Sequence, residues 1–317
     1  MKKIITILIP VIILSIVYIN IDYLTNKFTS LITLTDPVIH KEKNYYKKDY
    51  SLSYAKNIDT MVPYSKQDII DILYTSINNR YSKITFYCPS VYKDCLKDVE
   101  DISNNPNELT HINNFVHPFN TYKNIKTTLS DAGEINYEIT YLYNDLESNK
   151  IINEVNKLIK ELKLRDIKEK EIQIKTIHDY IINNTKYDVS YKQGEDNKYN
   201  SVTAYGPLFE GYAICNGYTD LMAIFLNELD IKNIKVATTP DELKNSNTGH
   251  IWNAVYLDNE WKHVDLTWDD PVSNSGKDYL YHSYFLINSS ALYTKDNEGE
   301  NKYDEHNFNK SIYFEIK

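Results

Sequence analysis

The sequence predicts an α+β protein on three observations. A helical apolar stripe starts at Cys215: Tyr218, Leu221, Met222, Phe225, Leu226 and Leu229. Two aromatic and β-branched runs, His250 to Leu257 and Glu260 to Leu266, meet at Asp258-Asn259, a pair suited to a tight hairpin turn. Far upstream, Ile135 to Tyr143 alternates with the period of two of a half-buried strand, among helical patterns. With 317 residues the chain has room for one large or two modest domains. Eight glycines and nine prolines exclude collagen-like and low-complexity chains, and a formal net charge of −9 lacks the basic footprint of a nucleic-acid binder.

The N-terminus comes first in order. Lys2 and Lys3 precede an apolar run from Ile4 to Ile19, broken only by Thr6, Pro10 and Ser15. This pattern predicts a signal anchor or membrane span over 1–21, with the lysines inside and the remainder exported. The residues after it offer no small-x-small cleavage site and no lipoprotein cysteine. Residues 22–63 are polar and tyrosine-rich and read as a stalk. Of three cysteines, Cys88 and Cys95 lie close together, and outside the cytoplasm they can pair as a disulfide or stay as two thiols. Cys215 is then the free thiol.

Residues 64–147 read as a small α+β domain of unassigned role. Ser65 is a candidate N-cap, followed by Asp68 and by Ile69, Ile70, Leu73, Tyr74 and Ile77 at helical spacing. Ile84 to Tyr87 reads as a strand, and polar helical material follows from Cys95 to Phe115. His111 and His117 fit packing or surface roles better than metal ligation. A boundary is expected near residue 148, with helices over 148–163 and 167–184 opening a second domain, 148–317.

Cys215 falls at or just before a helix start, where the macrodipole and unpaired backbone N–H groups favour an anion and hence a thiolate. The same N–H groups suit an oxyanion. Gly217 allows close approach of backbone or substrate. In the hairpin, a two-residue loop sets Leu257 opposite Glu260, and by arithmetic Trp252 opposite Asp265 and His250 opposite Thr267. His250 and Asp265 then share a face as diagonal neighbours, whereas a three-residue loop would separate them. With that register, Asp265 can orient His250 toward Cys215 as a Cys/His/Asp triad. His263 lies on the same face and competes as base, though packing suits its mid-strand position better. Trp252, Trp261 and Trp268 read as core and cleft walls, and Asp269-Asp270-Pro271 as a turn.

These segments carry a resemblance. Ile177-His178-Asp179-Tyr180, Lys186-Tyr187-Asp188, Tyr205-Gly206-Pro207-Leu208, Cys215-Asn216-Gly217-Tyr218, Gly249-His250-Ile251-Trp252-Asn253 and Trp261 through Pro271 are similar to a bacterial transglutaminase-like domain. Tyr284-Phe285-Leu286 is similar to the strand that follows. The resemblance spans about Ile172 to Tyr284 and implies a papain-like fold, with the cysteine helix packed on an antiparallel sheet. It implies Cys215 as nucleophile, His250 as base and Asp265 as orienter. Tyr205, Asn216, Trp252 and Trp268 are weaker carry-overs to the cleft or oxyanion site. Asn216 stands where Gln or Glu is common, and Ala213 where many members have glycine.

The expected activity is exported thiol chemistry on amide bonds through a thioester: transfer to an amine, deamidation or proteolysis. Its expected partner is a protein or peptide substrate in the cell envelope, besides the membrane itself. The alternative is a non-catalytic surface binding or scaffold protein that keeps the fold. No cofactor or metal is expected, because His250, Asp265, Asp269 and Asp270 lack recognisable ligand spacing for a metal hydrolase.

Overall fold

A computed structural model describes residues 62–191, 198–238, 249–272, 279–292, 306–313 and 316. The expected anchor over 1–21 and nearly all of the 22–63 stalk lie outside these residues. The chain divides into two compact units.

In the first unit, Ser65 accepts the Asp68 N–H at 3.2 Å and starts α1, Lys66–Asn78, which buries Ile69, Leu73 and Ile77. Strand β1, Lys83–Tyr87, follows, then helix α2, Cys95–Ser103. Strands β2, Tyr122–Leu129, and β3, Glu134–Tyr141, complete a three-stranded sheet of order β1-β3-β2. Ile84 and Phe86 alternate inward on β1, and Ile135, Tyr137 and Ile139 do so on β3. Cys88 and Cys95 form a disulfide between the end of β1 and the start of α2, with Cα atoms 5.7 Å apart. Closing so short a loop is worth about 2–3 kcal/mol by chain entropy. Strand β2 was not expected from the sequence: none of its residues is fully buried, so no apolar alternation marks it.

The second unit takes in residues 106–121 as well as everything from Tyr141. The division is therefore not a single cut near 148, because helix α3, Pro106–Phe115, packs with strand β6, Asn233–Ala237, of this unit. Asn144 caps α4, Asp145–Glu161, and α5 spans Lys170–Asn184. A short parallel pair, β4 (Lys186–Tyr187) and β5 (Tyr212–Ala213), brackets a π-helical turn at Gly206–Glu210. Then comes α6, Cys215–Glu228. Strands β6, β7 (Ile251–Leu257), β8 (Glu260–Val264) and β9 (Phe285–Ile287) form an antiparallel sheet in that order, with helix α7, Leu266–Asp269, after β8.

Helix α6 packs on β7 and β6 and against α5 and α4, and Leu221, Met222, Phe225 and Leu226 join Ile177, Ile181, Val255 and Val264 in one core. A buried ion pair also joins the layers. Lys235 Nζ on β6 lies 2.9 Å from Asp220 Oδ1 on α6, and Asp220 Oδ2 accepts the Tyr143 hydroxyl at 2.7 Å. Two charges buried together are tolerated because each finds a partner.

Candidate active site

The start of α6 is fixed on several sides. Ile214 N–H donates to Ser201 O at 3.0 Å, Thr219 Oγ1 donates to Ile251 O at 3.0 Å, and Asn253 Nδ2 donates to Thr219 O at 3.1 Å. A Cβ on Gly217 would meet Ser201 O at 2.4 Å, so the close approach this glycine permits is that of backbone. Cys215 is thereby the first residue of the helix, partly exposed, and the free cysteine among the described residues. Its Sγ lies 3.7 Å from Asn216 Oδ1.

The hairpin turn has two residues, Asp258 and Asn259, both left-handed with φ of 51° and 65°, the conformation that matches strand twist. Leu257 pairs with Glu260 and Asn253 with Val264, so the arithmetic register holds to the end of β8. Asp265 follows immediately and caps α7: its Oδ1 accepts the Thr267 and Trp268 N–H groups at 2.9 and 3.3 Å. Its other oxygen, Oδ2, lies 2.5 Å from His250 Nε2. That contact uses the Nε2 side of the imidazole.

Electrostatics follow from this arrangement. Burial alone pulls the His250 imidazole down, but the Asp265 charge and hydrogen bond, with a contribution from Cys215, hold it well above the usual histidine range. Burial pushes the Asp265 carboxyl up, and the His250 charge and hydrogen bonds from His250 and His306 more than offset it, keeping Asp265 well below the ordinary range. Asp265 is the ionised partner.

The sequence gives no hint of His306. Its Nε2 lies 2.8 Å from Asp265 Oδ2, the oxygen His250 uses, and its ring stacks on Tyr284 with centroids 5.0 Å apart. It is fully buried.

His263 is also fully buried; its Nδ1 accepts the Trp252 indole N–H at 2.9 Å and its Nε2 faces Ser289 Oγ at 3.0 Å. Burial drives it down to about 3, so it is a neutral packing residue. Trp252 leaves the set of cleft candidates, because it is buried, stacked beside His250, with its N–H committed to His263. Trp268 is half-buried against Tyr284 and His306. Tyr205 precedes the π-helical turn and accepts from Lys150 Nζ at 2.5 Å, which places its hydroxyl with α4.

The remaining acids of the motif hold the scaffold. Asp269 Oδ1 accepts the Tyr284 N–H at 2.9 Å, Asp269 Oδ2 faces His178 Nε2 at 3.2 Å, and Asp270 accepts the Tyr218 hydroxyl. Among the described residues, two groups bring metal-ligating side chains together: His250, Asp265 and His306, and separately His178, Asp179 and His282.

Comparison with known proteins finds similarity over part of the chain. Residues 160–266 match the profile of the transglutaminase-like superfamily. The kyphoscoliosis peptidase of Mus musculus is 27% identical over 164 residues, covering 47% of this chain and 23% of that protein. Its Homo sapiens counterpart is 27% identical over 146 residues, 41% and 21% respectively. The chain spans less than a quarter of the length of these curated relatives. A crystal structure of a TGase is 14% identical, covers 76% of this chain and 62% of its own, and has a TM-score of 0.34. The periplasmic domain of TgpA from Pseudomonas aeruginosa is 14% identical, with coverages of 46% and 62% and a TM-score of 0.29. The matched stretch, 160–266, carries Cys215, His250 and Asp265 and is thus similar to the transglutaminase-like superfamily, with the cysteine helix packed on an antiparallel sheet.

Proposed function

We propose that this protein is a thiol enzyme acting on amide bonds, with Cys215 as nucleophile, His250 as acid and base, and Asp265 as the group that orients His250. The observation that carries the reading is the 2.5 Å contact between His250 Nε2 and Asp265 Oδ2, with Cys215 close enough to the imidazole to contribute to its electrostatics. Transfer of the Cys215 proton to His250 gives a thiolate beside an imidazolium, the reactive form of such a pair. The Cys215 thiolate adds to the amide carbonyl carbon, forming a C–S bond, and the oxyanion faces the N–H groups that open α6. His250 gives its proton to the leaving nitrogen, the C–N bond breaks, and a thioester remains. An amine or water then attacks the thioester, His250 takes the incoming proton, and Cys215 departs as thiolate.

The acyl acceptor decides between transfer to an amine and hydrolysis, and the amide attacked, side-chain carboxamide or peptide bond, decides whether hydrolysis is deamidation or proteolysis; all three need the same triad. We place the activity outside the cytoplasm, on a cell-envelope protein or wall peptide. The Lys2-Lys3 and Ile4–Ile19 pattern supports this, as does the Cys88–Cys95 disulfide. Incorporation of a fluorescent amine into glutamine-containing protein, run beside a peptidase assay, tests the chemistry, with Cys215→Ala as control. Identical behaviour of wild type and Cys215→Ala on every amide, with a Cys215 thiol no more reactive than free cysteine, would leave the scaffold reading in place.

A further inference from the structure

Away from Cys215, two histidines of the second unit converge on one carboxylate oxygen of Asp179. His178 Nδ1, on α5, lies 3.0 Å from Asp179 Oδ1, and His282 Nε2 lies 2.6 Å from the same oxygen. The three ligand atoms fall within 4.8 Å of one another. The His178 side chain is fully buried, whereas those of Asp179 and His282 are 27% and 34% exposed. The cluster therefore has an anchored inner wall and an open outer side.

The inner histidine is braced from behind. His178 Nε2 faces Oδ2 of the fully buried Asp269 at 3.2 Å, so its Nδ1 edge is the one turned to Asp179. On the outer side Lys175 Nζ stands 3.0 Å from His282 Nε2 and 2.5 Å from Asp179 Oδ2.

We propose that His178 Nδ1, Asp179 Oδ1 and His282 Nε2 form a binding site for a divalent transition-metal ion of the zinc type. Two imidazoles and one carboxylate suit zinc and its neighbours over the oxygen-preferring magnesium and calcium. A buried carboxylate behind the inner histidine, here Asp269, is the arrangement that fixes a ligating ring's tautomer. Zinc bonds of about 2.0–2.1 Å in a tetrahedron separate ligand atoms by about 3.3 Å. The two edges to Asp179 Oδ1, 3.0 Å from His178 and 2.6 Å from His282, lie within about 0.7 Å of that value, and His282 is on the solvent side. Lys175 keeps its 2.5 Å contact with Asp179 Oδ2, the oxygen the ion does not use. Water fills the outer position, and the ion ties α5 to the segment leading into β9. This site is independent of the chemistry proposed for Cys215.

The test uses the full chain in mild detergent, without an affinity tag and in a Cys215→Ala background that removes a competing thiol ligand. Zinc is measured by equilibrium dialysis, and cobalt(II) reports ligand geometry by its visible spectrum. The expected result is about one zinc per chain, a cobalt spectrum of low coordination number, and affinity weakened by more than about tenfold in His282→Ala. Circular dichroism checks that His282→Ala keeps its fold. Absence of zinc binding overturns the proposal, and so does binding that His282→Ala leaves unchanged, which would assign the ion to the His250, Asp265 and His306 cluster.

Discussion

His306 and His250 share one oxygen of Asp265, with Nε2 atoms 2.8 and 2.5 Å from Oδ2. The His306 hydrogen bond helps to hold Asp265 ionised, so His306 is a positioning residue acting through the carboxylate. Its removal should raise the pH at which Asp265 takes up a proton. In His306→Ala the acid limb of the Cys215 alkylation profile should therefore move to higher pH, with about 1–3 kcal/mol of stability lost. His306→Gln, whose amide can donate, should restore much of both. A purely structural role would lower stability and leave the limb where it was.

Asp265→Asn separates the charge of this residue from its capping role. A histidine raised by a partner contributes stability that is full below its unfolded pKa of about 6.5 and is lost as pH rises through the folded value. His250 is such a histidine. Denaturant midpoints of the wild type should fall as pH climbs above about 6.5, and Asp265→Asn should lose most of this contribution because burial then acts on His250 without the carboxylate charge to oppose it. Parallel curves for the two proteins would remove the pair as the source.

Two other histidines work in the opposite direction. Burial pushes His111 down to about 4 and, with the nearby His306 charge, His263 down to about 3. A lowered histidine contributes stability that is present above its unfolded pKa and is lost as pH falls toward the folded value. Stability should therefore decline between about pH 6.5 and pH 4. His111 packs its ring on Phe115 at 4.2 Å, and His111→Leu should flatten that decline by on the order of 1–3 kcal/mol. Thermal unfolding across this range gives the answer, and an unchanged slope would exclude His111.

Gly217→Ala should damage the start of α6. The added methyl meets the Ser201 carbonyl at 2.4 Å and the Thr203 carbonyl at 3.1 Å, both backbone atoms with little freedom to withdraw. A loss of about 1–3 kcal/mol is expected, with slower alkylation of Cys215 in the fraction that remains folded. Full stability and full thiol reactivity together would contradict the packing described for this turn.

What the sequence disclosed follows from its local rules. The helix start at Cys215 and the hairpin at Asp258-Asn259 were legible because helical periodicity and two-residue turn arithmetic are short-range. His306 was not, since it stands 41 residues beyond Asp265 in a polar stretch and reaches the site only through tertiary packing. The Lys235–Asp220 pair was hidden for the same reason: each charge lies within an apolar element, and only the packing of α6 on β6 shows that they meet. Trp252 resembles a cleft residue in sequence, where the partner of its indole N–H cannot be read. Strand β2 had no buried face to betray it.

Asp265 both starts a helix and orients a histidine, using a different oxygen for each task. An asparagine at 265 keeps one oxygen to begin α7 and replaces the other with an NH2 that carries no charge. The exchange of Asp for Asn needs one nucleotide in any lineage, and it would remove the charge that raises His250 while leaving the oxygen that starts the helix. A related chain with asparagine here would keep the helix start yet hold its histidine by a neutral amide, as cysteine–histidine–asparagine triads do, so the residue at this position separates charged from neutral orienters.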